Sequence, residues 1–276
     1  MSTSERPATA AASDGSKSNG APLLELRGLA KHFGAVQALS RVDFEIAPGQ
    51  VTALAGDNGA GKSVTIKTIS GLWSQDGGEI IWEGQPVRLH RPRDAEALGI
   101  TTIYQDLALC DNLDIVANMF LGHEPLRRRF LDEAQMEIRA RDTLKELHVT
   151  TIRSIRQPVA SLSGGQRQSV AVAKAVLAKA KLVIMDEPTA ALGVAQTRQV
   201  LDLIKRLSSQ GVAVLVISHN LVDVFEVADR IVILYLGRTV ASGPISEFDP
   251  TTVVDYMTTG RTERAPNHAA ARPPES

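Results

Sequence analysis

The sequence predicts an α/β fold that combines a mostly parallel sheet, an early antiparallel part and an inserted helical part. Residues 51–73 hold a short apolar strand, a glycine-rich stretch and a helical segment, in that order. After residue 160 the chain alternates apolar strands with helices, which is typical of a parallel sheet. Residues from about 107 to 160 show helical periodicity instead, and we interpret them as a helical insertion.

The glycine-rich stretch, residues 56–63, fits the phosphate-binding pattern G-x-x-x-x-G-K-[ST]. Its glycines let backbone N–H groups turn towards phosphate, and the positive end of the following helix points to the same place. Lys62 adds a charge for the β- and γ-phosphates, and the Ser63 hydroxyl is suited to ligate Mg²⁺. The alternative is a glycine turn with a chance lysine, and the strand and helix on either side argue against it.

The early segments predict a small antiparallel β-subdomain. Leu24 and Leu26 alternate with polar neighbours and suggest an edge strand. Residues 41–46 have the period of two expected of a strand. Residues 79–82 and 87–89 flank a Glu-Gly turn and predict a β-hairpin.

Within the helical insertion, Asp132 is positioned to cap a helix that carries an apolar stripe. Residues 127–129 are three consecutive arginines. We interpret this basic run as a solvated turn, and a contact with an acidic partner or with lipid head groups is the alternative.

The composition limits the classes of function. The chain has 276 residues and a formal net charge of −1, which gives no reason to expect nucleic-acid binding. Cys110 is the only cysteine, so no internal disulfide can form and a reducing compartment fits. No apolar run approaches the roughly 18 residues that span a bilayer, and no signal-peptide core is visible. We expect a cytosolic protein with disordered tails at residues 1–22 and 261–276.

Polar groups follow several of the predicted strands. Beside the phosphate loop, Gln105 follows one strand, Asp186 and Glu187 follow another, and His219 follows a third. Ligands of parallel sheets bind beyond the carboxyl ends of the strands, so we expect these groups to meet. Each alone could be a helix cap or a loop residue. Together they suit ATP hydrolysis, which needs a held Mg²⁺, a positioned water and a general base.

The chain resembles the nucleotide-binding subunit of an ATP-binding cassette (ABC) transporter over about residues 23–260. The decisive motif is Leu-Ser-Gly-Gly-Gln at residues 162–166. In this family the motif binds the γ-phosphate of an ATP held by the other subunit of a head-to-tail dimer. The resemblance implies a P-loop NTPase core with an antiparallel β-subdomain and an α-helical subdomain inserted at about residues 107–160.

The resemblance also implies functions for individual residues. It assigns adenine stacking to Phe33, for which a core or turn aromatic is the other interpretation. It makes Glu187 the catalytic base, His219 the switch histidine, Gln105 the Q-loop residue and Asp186 the metal-binding acid. The predicted catalytic residues are Glu187, His219 and Gln105, and the predicted metal ligands are Ser63, Gln105 and Asp186. The predicted ATP-binding residues are Phe33, Gly56, Asp57, Asn58, Gly59, Ala60, Gly61, Lys62, Ser63, Val64, Ser163, Gly164, Gly165 and Gln166.

Residues 104–109 and 118–122 resemble bacterial importers of monosaccharides such as fructose, ribose or xylose. A single cassette then implies a homodimer on the cytoplasmic face of the membrane, using ATP and Mg²⁺. Its partners would be permease subunits and, indirectly, a periplasmic or extracellular sugar-binding protein, with no nucleic acid. The alternatives are a soluble cassette ATPase that is not coupled to transport, a regulatory module that holds ATP without turnover, and an exporter subunit.

Two positions depart from the family pattern. Gly193 stands after Leu192, where the family usually has Asp in a loop that communicates across the dimer. Val64 stands where a second hydroxyl residue usually follows Ser63. The first change removes a carboxylate from the expected dimer contact, and the second removes an expected contact to the α-phosphate.

Overall fold

One ten-stranded sheet organises residues 21–261, the part of the chain that the computed structural model describes. The strands of this part are β1 (Leu24–Phe33), β2 (Val36–Ile46), β3 (Val51–Gly56), β4 (Gly77–Trp82), β5 (Gln85–Val87), β6 (Ile100–Ile103), β7 (Leu126–Arg127), β8 (Phe130–Leu131), β9 (Leu182–Asp186), β10 (Ala213–Ile217), β11 (Arg230–Tyr235) and β12 (Arg238–Pro244). The large sheet has the order β5-β4-β1-β2-β12-β11-β3-β10-β9-β6, and β7 pairs with β8 separately.

Helices cover the sheet and fill the insertion. They are α1 (Lys62–Ile69), α2 (Pro92–Leu98), α3 (Ile115–Phe120), α4 (Glu133–Glu146), α5 (Gly164–Leu177), α6 (Val194–Ser209), α7 (Leu221–Val227) and α8 (Pro250–Thr259), with short 3₁₀ turns at Val159–Ser161 and Ile245–Glu247.

The core of the sheet is parallel. Strands β6, β9, β10, β3 and β11 pair in parallel with one another, and β11 pairs with β12 in antiparallel fashion. All of β3 and β10 is buried, as expected of strands covered on both faces. Their carboxyl ends therefore lie along one edge, where the phosphate loop and the predicted acidic residues follow.

The β-subdomain is antiparallel as predicted, but the prediction of an edge strand at Leu24 and Leu26 is wrong. β1 lies inside the sheet between β2 and β4, and β5 forms the edge. Alternating burial reports one buried face, which an interior antiparallel strand shows as readily as an edge strand. The predicted strand 41–46 lies within β2. The predicted hairpin around Gly84 is present, but its second strand is Gln85–Val87 and not residues 87–89, because the turn is tighter than predicted.

The insertion is helical, with one element that the periodicity does not predict. α4 begins after Asp132, whose side chain accepts a hydrogen bond from the Gln135 N–H at 3.2 Å. Met136, Ala140 and Leu144 are buried along one stripe of this helix. Between α3 and α4 the chain forms the hairpin β7–β8, and Arg128 and Arg129 make its turn.

The predicted tails lie almost entirely outside the described residues, since residues 1–20 and 262–276 are not described. Among residues 21–261 no helix has both the length and the hydropathy needed to cross a bilayer.

A glycine joins the β-subdomain to the parallel core. Gly237 lies between β11 and β12 with a φ of 76°, and its carbonyl accepts hydrogen bonds from the backbone N–H groups of Ser40 and Arg41. Its own N–H donates to the Ala60 carbonyl in the phosphate loop at 3.0 Å. A Cβ at this position would lie 2.6 Å from the Ala38 carbonyl oxygen.

We predict that Gly237→Ala destabilises the protein more than Gly84→Ala does. Gly84 has a φ of 78° and nothing within 4 Å of its Cβ position, so Gly84→Ala measures left-handed strain alone, about 1–2 kcal/mol. Gly237→Ala adds a backbone clash that costs roughly 1–3 kcal/mol more. Urea unfolding of both variants measures the difference. Equal losses would show that β2 moves away from Gly237 without cost.

Candidate active site

The phosphate loop takes its shape from neighbours that leave no room for side chains. At Gly56 a Cβ would lie 2.6 Å from the Leu234 carbonyl oxygen, and at Gly61 it would lie 2.6 Å from Leu39 Cδ2. Both glycines also have positive φ, at 157° and 103°. Gly59 has a φ of 82° with open space around its Cβ position. The loop is thus packed tightly at both ends and open in its middle.

Glu187 begins the loop that follows β9, and its backbone is left-handed. Its φ is 50°, which is uncommon for a residue other than glycine. Its N–H donates to the Ile217 carbonyl at 2.9 Å, which ties the end of β9 to the end of β10. Backbone held in this region marks a position that the surrounding structure fixes, often at a functional site.

Two side-chain contacts join the Glu187 loop to the segment that follows β10. His219 Nδ1 lies 2.8 Å from Glu187 Oε2, so in the tautomer with its proton on Nδ1 the imidazole donates to the carboxylate. The Thr189 hydroxyl donates to Asp223 Oδ2 at 2.7 Å, and Asp223 is buried. The first contact orients the Glu187 carboxylate, and the second holds the loop two residues further along the chain.

A cleft of about 500 Å³ brings most of the predicted site together. The predicted residues that line it are Asp57, Asn58, Gly59, Gly61, Lys62, Ser63, Val64, Gln105, Asp186 and Glu187. Gly56 and Ala60 belong to the same loop without lining the cleft, and His219 reaches it through Glu187. The walls are completed by residues that the sequence did not predict, namely Val36, Gln37, Ala38, Ile217 and Leu236.

The predicted residues 163–166 do not line this cleft. Ser163 caps α5, where its hydroxyl accepts from the Gln166 N–H at 3.4 Å and its N–H donates to Gln166 Oε1 at 2.9 Å. Gln166 Nε2 also donates to the Thr151 carbonyl at 2.7 Å. Leu192 Cδ2 lies 2.6 Å from the place a Cβ would take on Gly164. This helix start is therefore rigid and separate from the cleft of its own chain.

A phosphate loop, a carboxylate pair at a parallel strand end and a separate Leu-Ser-Gly-Gly-Gln helix start occur here in one domain. The family model described as ABC transporter matches residues 39–190, which is more than half of the chain. The chain belongs to the ABC transporter family. The predicted family and the predicted fold, a cassette with β- and helical subdomains, are confirmed.

Individual relatives agree over nearly the whole chain. The fructose import ATP-binding protein FrcA of Rhizobium meliloti is 49% identical over 245 residues, covering 86% of this chain and 94% of that protein. The xylose/arabinose import ATP-binding protein XylG of Sulfolobus acidocaldarius is 47% identical over 236 residues, with coverage of 86% and 94%. The crystal structure of an ABC transporter cassette in its ADP conformation has a TM-score of 0.75 at 25% identity, covering 87% of this chain and 100% of that chain.

The lysine of the cassette's phosphate loop is folded back over the loop. Lys62 Nζ donates to the carbonyls of Gly56 at 2.6 Å and Asp57 at 3.1 Å. Burial lowers the pKa of Lys62, and the carboxylates of Glu187, Asp57 and Asp186 oppose that shift. A bound anion would favour the charged ammonium further, which is the arrangement that ATP binding requires.

The acid at the end of β9 has the opposite shift. Burial raises the pKa of Asp186, the negative charge of Glu187 raises it further, and Lys62 and Lys67 oppose the rise. A cation beside this carboxylate would relieve the unfavourable charge. Ser63 and Gln105 line the same cleft and offer neutral oxygens, so the donors present fit Mg²⁺, which prefers oxygen ligands and keeps several waters.

The predicted adenine-stacking residue has another contact. The Phe33 ring packs edge-on against Trp73, with centroids 4.8 Å apart and an interplanar angle of 72°. Phe33 does not line the cleft, whereas Val36, across the hairpin turn from it, does line the cleft and is 66% exposed. Adenine stacking by Phe33 stays a prediction.

The two departures from the family pattern have distinct local settings. Gly193 caps α6, and its N–H donates to Gln196 Oε1 at 3.2 Å, so the first turn is stabilised without a side chain at residue 193. Val64 lines the cleft, and the hydroxyl of the next residue, Thr65, donates to the Gly61 carbonyl at 3.0 Å. Val64 offers a nucleotide no hydroxyl, and the neighbouring hydroxyl of Thr65 is already bonded to the loop backbone.

We predict that Asp186→Asn raises the melting temperature of the nucleotide-free protein at neutral pH. Because the folded-state pKa of Asp186 is raised, its ionised form is less favourable in the folded chain than in the unfolded chain. This penalty is full above the raised pKa and disappears below the ordinary carboxyl pKa of about 3.9. The gain in melting temperature should therefore shrink as the pH falls through that window.

Thermal unfolding at a series of pH values measures this effect, with Asp142→Asn as the control for loss of an exposed carboxylate on α4. A lower melting temperature for Asp186→Asn at neutral pH would mean that its attraction to Lys62 and Lys67 outweighs its burial.

Proposed function

We propose that this cassette hydrolyses ATP and thereby powers a membrane importer for a monosaccharide. The observation that carries the proposal is the pairing of Glu187 with His219 at the edge of the cleft that also contains Lys62. A carboxylate held beside a phosphate-binding loop is in position to act on a water that attacks the γ-phosphate. The alternative of an ATP-holding module without turnover would not need this pair.

The side chains of the cleft divide the work of hydrolysis. The Lys62 ammonium and the N–H groups of the phosphate loop bind the β- and γ-phosphates. Glu187 accepts a proton from the attacking water, and His219 orients the carboxylate through its 2.8 Å contact. The bond between Thr189 and Asp223 keeps the Glu187 loop from moving away.

We assign the Mg²⁺ ligands to Ser63, Asp186 and Gln105. A cation held there would partly neutralise the charge of the phosphates. Asp186 is suited to hold it because burial, and then the charge of Glu187, raise its pKa and disfavour its ionised form, which a cation would stabilise. Gln105 is exposed on the segment after β6, and its side-chain oxygen would complete the protein ligands of the cation.

A second copy of the chain completes each site. Residues 163–166 do not line the cleft of their own chain, yet they form a helix start with donors and a favourable dipole for an anion. In a head-to-tail homodimer, Ser163, Gly164, Gly165 and Gln166 face the ATP bound at the other copy's Lys62. Each ATP is then enclosed between the phosphate loop of one copy and residues 163–166 of the other. Closure of the dimer around the two ATP molecules converts ATP binding into movement of the helical subdomains.

Sugar import is proposed from the relatives, two of which carry fructose and xylose/arabinose import in their names. The cassette comprises residues 23–260, with residues 1–22 and 261–276 as tails. It binds permease subunits at the cytoplasmic face of the membrane through residues 106–122 of the helical subdomain, and a sugar-binding protein acts on the other side.

We predict that Glu187→Gln lowers the ATPase rate by a factor on the order of 10² to 10⁴ while ATP still binds. The amide keeps the shape of the side chain but cannot accept the proton. Phosphate release measures the rate, and size-exclusion chromatography with ATP should show a trapped dimer. Glu226→Gln on α7 is the control for a surface glutamate. Near-normal hydrolysis by Glu187→Gln would refute the assignment of the base.

We also predict that ATP-bound Glu187→Gln, purified from native membranes, carries a polytopic permease with it. Mass spectrometry identifies the partners, and Lys62→Ala, which cannot hold the phosphates, is the matched control. A sugar-binding protein encoded or purified beside the permease would support import. Recovery of ribosomal proteins without a membrane protein would assign the cassette to a soluble ATPase instead.

A further inference from the structure

The hairpin formed by β7 and β8 exposes large apolar side chains beside arginines. We call residues 126–131 the arginine hairpin. Leu126, Phe130 and Leu131 are 67%, 78% and 53% exposed, although side chains of this type are usually buried. Residues 127–129, all arginines, are exposed as well. This small element concentrates apolar and cationic groups.

Both faces of the arginine hairpin are largely exposed. Directly opposed residues of an antiparallel pair point to the same face. Leu126 is opposite Leu131 on one face, and Arg127 is opposite Phe130 on the other. Both pairs are exposed, so the hairpin projects from the insertion. Its base is closed by the Asp132 N–H, which donates to the Pro125 carbonyl at 2.9 Å.

The charges of this region are separated between the tip and the base. Within residues 21–261, residues 127–129 have no ion pair and no side-chain hydrogen bond, and the pairs that do form lie at the base. There Glu124 accepts from the Gly122 N–H, Asp132 caps α4, and Glu133 pairs with Arg156 at 3.0 Å. Hydrogen bonds and one ion pair thus hold these carboxylates at the base, and the tip presents unpaired positive charge.

We propose that the arginine hairpin binds an anionic phospholipid surface. The site is distinct from the cleft and rests on the proposed function only in requiring that the cassette works beside a membrane. Lipid head groups surround an inserted element and can cover both of its faces, whereas a flat protein surface covers one. Two residues per strand span roughly 7 Å, which matches the roughly 5–10 Å depth of interfacial binding.

Charge also favours lipid over a protein partner at this position. Cytoplasmic loops of membrane proteins carry an excess of Lys and Arg, so loops of a permease would repel the arginines. The cytoplasmic leaflet is negatively charged and attracts basic segments close to it. Phe130 and the two leucines then enter the boundary between head groups and acyl chains, while the arginines reach back to the phosphates.

Vesicle co-sedimentation of the full chain tests the proposal without a permease. We expect binding to vesicles of 30% phosphatidylglycerol in phosphatidylcholine, weaker binding to pure phosphatidylcholine, and loss of the difference at high salt. Replacing all three arginines, Arg127→Gln, Arg128→Gln and Arg129→Gln, should weaken binding on the order of a hundredfold, or roughly fivefold for each charge. Phe130→Ser should weaken it independently of salt.

A charge-matched control separates the hairpin from net charge. Arg27→Gln, Arg88→Gln and Arg91→Gln together remove three exposed arginines from the β-subdomain side and should leave vesicle binding within about twofold. Equal loss in the control, or equal binding of the wild type to neutral vesicles, would overturn the proposal. No vesicle binding, with permease recovery lost in the hairpin variant, would assign the hairpin to a protein partner.

The ATPase rate without lipid serves as a separate readout. None of the substituted residues lies in the cleft, so the hairpin variants should hydrolyse ATP at the wild-type rate. Failure of the proposed ATPase function would appear in this assay, and failure of the lipid proposal would appear in the sedimentation assay alone.

Discussion

The central place of β3 in the parallel sheet is the constraint on which the rest of the site depends. β3 lies between β10 and β11, and all of its residues are buried. It ends at Gly56, where the Leu234 carbonyl of β11 lies too close for any side chain. The phosphate loop therefore starts at a fixed point between two strand ends. Through the pairing of β10 with β9, the same register sets how far Lys62 lies from Asp186 and Glu187.

Several features of the cleft lower the stability of the fold but prepare the site to bind phosphate and a cation. The charged forms of both Lys62 and Asp186 are disfavoured by burial, and Glu187 has a left-handed backbone. The Ile217 carbonyl and His219 hold Glu187 in place despite this cost, and the carbonyls of Gly56 and Asp57 hold the Lys62 ammonium. Bound Mg²⁺ and phosphates would pair both charges, so the site is more favourable with its ligands than without them.

The sequence predicts the parts of the site that are set by local chemistry. A glycine pattern between strand and helix, and acids directly after an apolar run, can be read from neighbours in the chain. The walls of the cleft cannot be predicted in this way. Val36, Gln37 and Leu236 line the cleft only because β2 packs beside β12, and these strands are far apart in the sequence. The wrong prediction of an edge strand at Leu24 and Leu26 also concerns contacts between distant segments. Alternating polarity shows that one face of a strand is buried, but it does not show how many strands lie beside it. The arginine hairpin escapes prediction because two-residue strands are too short for a period.

The segment from Glu187 to Leu192 offers a physical link between two sites. Its first residue belongs to the cleft of its own chain, and its last lies against Gly164 at the start of α5. In the proposed dimer that helix start serves the other copy's ATP. The segment has left-handed residues at Glu187 and Ala191 and is tied down by Thr189, so it has little freedom to deform within itself. In the proposed dimer, a displacement of the Glu187 loop would therefore reach the start of α5 through the contact of Leu192 with Gly164, without a side chain at Gly193.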